Sequence, residues 1–164
     1  MLEKGMTFDK NRSAGVLASE LARLYSAELQ RRLAPLGLSA AQFLVLSELW
    51  TEDGLTQRAL TLRIGVEQAT MANTLARMER DNLVARKPHP DDRRSQLVML
   101  TDAARALEAS ATAAAGEVNE TVLNCLPAAE RELFLSMLAR MVGGMRAENA
   151  WPASPKTHDG QSRP

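Results

Sequence analysis

Between about Arg12 and Ala34, Leu17, Leu21, Leu24, Tyr25, Leu29 and Leu33 recur at steps of three and four residues. That spacing stacks them along one side of a long helix, which Pro35 and Gly37 close. Ser39 and Gln42 have the spacing of a capping box, with Leu38 and Phe43 as its hydrophobic staple, so a second helix is expected from Ala40 to about Trp50. Thr56 is placed to cap a short third helix carrying Ala59, Leu60 and Ile64, and Gly65 stands where a left-handed residue would stop it. From Glu67 to Asp81 the faces separate: Met71, Ala72, Leu75 and Met78 share one side, and Thr70, Asn73, Thr74, Arg77 and Arg80 point the other way. Two helices joined by a glycine turn make a helix-turn-helix candidate.

At Asn82, a residue that tolerates the left-handed conformation, the period changes. Val84 to Lys87 and Gln96 to Leu100 are β-like runs on either side of a polar tip from His89 to Arg94, which predicts a hairpin. Thr101 caps the following helix with Asp102 at its positive end. That helix is expected to reach about Leu126, with Leu107, Ala111, Val118 and Val122 on one side. Pro127 suits the first turn of a last helix, whose stripe of Leu133, Phe134, Met137, Leu138, Met141 and Val142 runs to Gly143 and Gly144 and demands a partner.

Composition reinforces this: the 26 alanines among 164 residues favour a mainly α fold with a minor β part. The expected organisation is a flexible N-terminus over 1–11, a helix region over 12–38, a winged helix-turn-helix over 39–101, C-terminal helices over 102–147 and a flexible tail over 148–164. Twenty basic and twenty acidic residues give no net charge, which excludes a globally basic coat protein but not a local basic surface. The single cysteine, Cys125, excludes an internal disulfide framework; among Val122, Leu123 and Leu126 it is expected to be a buried, inert thiol. No run approaches the roughly 18 apolar residues of a membrane span, and residues 1–15 lack the layout of a signal peptide. A cytoplasmic protein with no membrane partner is expected. His89 and His158 have no Cys, Asp or Glu at metal or nucleophile–base spacing, and Asp91 and Asp92 are adjacent in a turn, so no catalytic residue, metal or cofactor is expected and the chain is not read as an enzyme.

A helix-turn-helix followed directly by a two-stranded hairpin is a winged helix, and its charge is distinctive. Residues 55–101 carry eight basic side chains against five acidic ones, leaving the rest of the chain with a surplus of three acidic groups. Positive charge is thus concentrated where duplex DNA would lie. A helix fits the major groove, where Gln68, Thr70, Asn73, Thr74 and Arg77 have the chemistry to read base edges; Arg77 can pair bidentately with guanine. Thr56, Arg80, Arg86, Lys87 and Arg93 are candidates for phosphate contacts.

Residues 55–101, LTQRALTLRIGVEQATMANTLARMERDNLVARKPHPDDRRSQLVMLT, resemble the MarR/SlyA family of bacterial transcriptional regulators, and the order of helices matches that family from about residue 12 to residue 146. The specific pieces are Leu60 with Ile64-Gly65-Val66, Leu75 with Met78-Glu79 ahead of Leu83-Val84-Ala85-Arg86, and Asp92-Arg93-Arg94 before Leu100-Thr101. Asn82 and Ala104 stand where the family usually has glycine. The resemblance implies that Arg94 enters the adjacent minor groove from the wing and that Asp92 orients it. It implies a homodimer interlocked through the terminal helices, with Leu17, Leu21, Leu24, Leu133, Phe134, Met137, Leu138 and Met141 at the interface, on a pseudo-palindromic operator with half-sites roughly 34 Å apart. It implies a repressor released by a small aromatic or anionic ligand, for which Tyr25, Trp50, Arg23 and Arg31 could line a crevice; by general residue usage Tyr25 and Trp50 read first as core or interface aromatics. Relatives that sense oxidants carry a reactive cysteine in the first helix, and this chain has none there, so peroxide control is not expected. The alternative is a winged-helix protein-interaction module without sequence-specific DNA binding.

Overall fold

The computed structural model describes residues 9–92 and 94–149. After a short 3-10 turn, Lys10–Arg12, the chain forms α1 (Ala14–Leu33), a second 3-10 turn (Ala34–Leu36), α2 (Ala40–Thr51), β1 (Leu55–Thr56), α3 (Gln57–Ile64), α4 (Gln68–Arg80), β2 (Val84–Pro88), β3 (Gln96–Leu100), α5 (Asp102–Leu123) and α6 (Ala128–Asn149). These elements divide into two compact units at Val122/Leu123. No single described helix is long and apolar enough to cross a membrane. Arg93, the segment 1–8 of the expected flexible N-terminus and the tail beyond 149 lie outside the described residues; Asp9, inside them, caps Lys10–Arg12 by accepting from the Asn11 N–H.

In the first unit the helix boundaries follow the caps. Ser39 Oγ accepts from Gln42 N–H at 3.2 Å while Gln42 Oε1 accepts from Ser39 N–H at 2.8 Å, so the capping box forms in both directions. Thr56 Oγ1 accepts from Ala59 N–H and starts α3. Gly65, at φ 76°, stops α3 in the left-handed region, and Asn82, at φ 56°, does the same after α4 at the cost that asparagine bears best. Thr101 Oγ1 accepts from Ala104 N–H and donates to Asn82 O, which fastens the start of α5 to the turn that ends α4.

The core is built from Leu33, Leu46, Leu49, Leu60, Met71, Leu75, Met78 and Val98, all fully buried. Each such side chain contributes about 1.5–3 kcal/mol relative to exposure. Here α4 spends its inner face: Met71, Leu75 and Met78 are at most 1% exposed, and the polar residues between them are left outside. The expected hairpin, β2 with β3, is present in antiparallel register from Val84 opposite Leu100 to Pro88 opposite Gln96. A third strand was not expected. β1 pairs with β3 through Leu55–Val98 and Thr56–Leu97, giving the order β1-β3-β2; two residues are too few to show an alternating period.

In the second unit two expectations are corrected. The helix expected to reach Leu126 ends at Leu123, where Leu126 N–H closes a turn onto Leu123 O. Cys125 is consequently exposed rather than buried, because it falls in that turn and not on the inner face of α5. α6 runs through Gly143 and Gly144, where the expected stripe ends, to Asn149; neither glycine has a positive φ, so the pair lowers helix propensity without breaking the helix. Along α6, Leu133, Met137, Met141 and Met145 are exposed.

Candidate nucleic-acid interface

The outer face of α4 is where the sequence placed it. Thr70, Asn73 and Arg77 are exposed, and at about 100° per residue they fall within one strip of the helix. Thr74, in the same strip, is half-buried and donates its hydroxyl to Thr70 O at 2.9 Å, leaving its oxygen free to accept. Gln68 stands apart: it lies about 200° round the helix from Thr70, in the first turn, where its Oε1 accepts from Gln57 Nε2 at 3.3 Å. The structure therefore groups Gln68 with α3 and the wing rather than with Arg77.

That grouping forms a cleft of about 340 Å³ lined by Thr56, Gln57, Arg58, Gln68, Arg86, Arg94, Ser95 and Gln96. Three guanidinium groups and several amide and hydroxyl donors converge there from α3, α4 and both strands of the hairpin. Such a donor set is suited to the oxygens of a phosphodiester. Gln57 and Arg58 had not been singled out among the sequence candidates. Their signal was present, since both lie in the first turn of α3 immediately after the Thr56 cap, but the cleft exists only because β2 and β3 bring Arg86 and Arg94 beside it.

At the tip of the wing, Asp92 Oδ1 accepts from the backbone N–H of Arg94 at 2.9 Å, and Ser95 N–H closes onto Asp92 O at 3.0 Å. His89 Nδ1 accepts from Asp91 N–H at 3.1 Å. The bond from Asp92 is made to the main chain of Arg94, an Asx-type turn, and not to its guanidinium.

The charge on this face is unevenly neutralised. Arg80 pairs with Asp81 at 3.0 Å and Arg86 with Glu79 at 3.2 Å, while Arg63 is drawn to Glu48 and Glu52 on α2. The Arg80 side chain bonded to Asp81 holds that carboxyl below its ordinary range. Among the described residues, Arg58, Arg77, Lys87 and Arg94 have no carboxylate at ion-pair distance. A cation without a carboxylate partner can meet an anion without first releasing one, whereas Arg80 and Arg86 must give up a carboxylate.

The candidates for a ligand crevice are scattered. Arg23 is engaged by Glu20 at 2.6 Å and lines a shallow depression with Ser13, Gly15, Val16, Ser19 and Glu20, not with Tyr25, Trp50 or Arg31. Arg31 is bonded to Glu28. Tyr25 packs half-buried against the core, and Trp50 donates Nε1–H to Ala104 O at 3.1 Å with its ring edge-on to Phe43, so the core reading of both aromatics describes their surroundings. Of the interface candidates, Leu17 and Leu24 on α1 are 53% and 52% exposed and Leu21 is half-buried. On α6, Leu133, Met137 and Met141 are exposed, with Phe134 and Leu138 half-buried.

Residues 38–96 match the model of the MarR family. The transcriptional regulator HosA of Escherichia coli O111:H- is 32% identical over 123 residues, which cover 75% of this chain and 90% of that protein. Among solved structures, Bordetella bronchiseptica BpsR, described for regulation of its DNA binding by 6-hydroxynicotinic acid, superposes with a TM-score of 0.77 at 26% identity over 84% of this chain and 98% of that one. The transcriptional repressor CouR, bound to a 23-mer DNA duplex, gives a TM-score of 0.75 at 27% identity over 87% and 99% of the respective chains.

Proposed function

The chain belongs to the MarR family of winged-helix transcriptional regulators, and from that premise we propose that it is a cytoplasmic homodimeric repressor that binds a pseudo-palindromic operator and leaves it when a small aromatic or anionic molecule binds. The observation that carries this reading is Arg77, without a carboxylate partner among the described residues, on a polar helix face whose reverse side is fully buried. Thr70, Asn73, Thr74 and Arg77 read base edges in the major groove. Arg94 reaches the minor groove, and the cleft of Thr56, Gln57, Arg58, Gln68 and Arg86 seats a backbone phosphate between the two. Lys87 and Arg80 add further phosphate contacts, and Arg93 is assigned the same role by its place beside Arg94. The exposed leucines of α1 and methionines of α6 supply the two-fold interface. DNA binding is supported by the CouR complex, and ligand control by BpsR, whose effector is an aromatic acid.

The test is selection of bound duplexes from random DNA, followed by affinity measurements at two salt concentrations for the wild type, Arg77→Ala and Arg94→Ala. Affinity should fall steeply with salt. Arg77→Ala should weaken binding by about 1–3 kcal/mol and relax preference at one position of each half-site, while Arg94→Ala should weaken binding and lower the salt slope by about one. A symmetric consensus would support the dimer. Binding indifferent to salt and to both substitutions would overturn the reading in favour of a protein-interaction module.

A further inference from the structure

Two polar side chains are buried in the described core, Gln42 and Thr61. Thr61 closes on its own helix, donating to Gln57 O at 2.8 Å. Gln42 reaches out of its helix. Its Oε1 is committed to the Ser39 N–H, so its Nε2 faces the other way and donates to Asp81 Oδ2 at 3.1 Å. The amide cannot be turned over, because that would set an N–H donor against the Ser39 N–H. Asp81 is the C-terminal cap of α4: its own N–H bonds to Arg77 O at 2.9 Å, and its second carboxylate oxygen takes Arg80 Nε at 3.0 Å. On the other side, Gln30 of α1 brackets the same corner, accepting from Ala40 N–H at 2.9 Å and donating to Leu38 O at 3.4 Å.

We propose that Gln42 is a positioning residue that pins the C-terminal end of α4 to the α1–α2 corner, so that the direction in which Arg77 and its neighbours point is set by where α1 delivers the chain into α2. The role rests on α4 being the helix that reads DNA. Packing of Met71, Leu75 and Met78 holds α4 to the core, but the hydrophobic driving force is non-directional and does not by itself fix the last turn of the helix. A hydrogen bond from the buried Gln42 amide to the more exposed Asp81 carboxylate, with one permitted orientation, is directional, and breaking it leaves the buried amide unsatisfied. Gln30 of α1 thus holds the main chain on either side of Ser39, and hydrogen bonds run from Ser39 through Gln42 and Asp81 to Arg80 in the last turn of α4.

The pair can be broken and remade. Gln42→Glu keeps the acceptor that Ser39 needs, and so keeps the capping box, but sets a second carboxylate against Asp81. Asp81→Asn alone still offers Gln42 an acceptor. Together the two substitutions restore the bond with its direction reversed. Amide hydrogen exchange of the full-length free protein is read first. In Gln42→Glu the amides of Asp81, Asn82 and Leu83 should exchange about ten-fold faster, with Val45, Leu46 and Leu49 unchanged. Asp81→Asn should stay near the wild type, and the double variant should return to it. Affinity for the duplex selected by the wild type should follow the same order, with about a ten-fold loss and recovery. Exchange rising evenly through the core, or a double variant no better than Gln42→Glu, would overturn the proposal. Should the wild type select no sequence, the DNA-binding reading fails, and the exchange data still decide whether Gln42 holds α4.

Discussion

Helices α4 and α6 both carry apolar stripes, and the fate of those stripes differs. Met71, Leu75 and Met78 of α4 are at most 1% exposed, while Leu133, Met137 and Met141 of α6 are 61%, 49% and 52% exposed. The chain completes the first stripe from its own residues and leaves the second open within its unit. A helix whose apolar side is satisfied is held rigidly and can offer its other side to a partner of opposite chemistry, here a polyanion. In a helix whose apolar side is open, that side is itself available to a partner. On the proposed reading, the same physical asset serves architecture in α4 and assembly in α6.

The contrast is broken most forcefully on α6. Met137→Glu combined with Met141→Glu sets two charges on the open face, and in a two-fold dimer each occurs twice, with like charges costing several kcal/mol across an interface. For the proposed dimer, light scattering should then report a particle near the chain mass of 17.9 kDa in place of twice that value. The helix content by circular dichroism should be retained, because neither methionine is part of a buried core. An unchanged mass would mean that the α6 face is not where copies meet; loss of helix content would mean that it belongs to the fold after all.

On α4 the corresponding experiment is Leu75→Ala, which removes a fully buried side chain from a finished face. The expected loss is about 2–5 kcal/mol of unfolding free energy, seen as a lower denaturant midpoint with little change in slope. A loss well below 1 kcal/mol would show that the inner face of α4 is loose, and with it the argument that the outer face is held in a defined direction.

What could be read from the sequence divides along the same line. The two faces of α4, the capping box at Ser39 and Gln42, and the left-handed turn at Asn82 are determined by residues within a few positions of one another, where periodicity and cap chemistry operate. β1 escaped because Leu55 and Thr56 acquire strand geometry only by pairing with Val98 and Leu97. Gln57 and Arg58 escaped because their cleft is assembled from four separate segments, and the bond from Gln42 to Asp81 because 39 positions separate its ends. Cys125 was misjudged for a smaller reason. The periodic pattern was carried past Leu123, and an error of three residues at a helix end turned an exposed thiol into a buried one. The proposed ligand anchors failed to gather because Trp50 Nε1 is already satisfied by Ala104 and both arginines by glutamates on their own helix.

The smallest effect concerns the ion pairs that brace the first unit. Glu28 on α1 is bonded to Arg31 and Arg32, and those bonds hold its carboxyl down from 4.5 to about 2. Arg32 also pairs with Glu117 of α5, so the cluster reaches between two helices of that unit. A carboxyl whose pKa is lower folded than unfolded contributes stability that is complete above the unfolded value and disappears as pH falls through the folded one. The contribution of Glu28 should therefore be present above about pH 4.5 and decline toward pH 2. Wild type and Glu28→Gln, melted across that range, should differ at the upper end and converge at the lower. Because the cluster faces solvent, the difference should be small and should shrink with added salt. A difference that is constant with pH would show that Glu28 acts through the packing of its side chain on α1 and not through its charge.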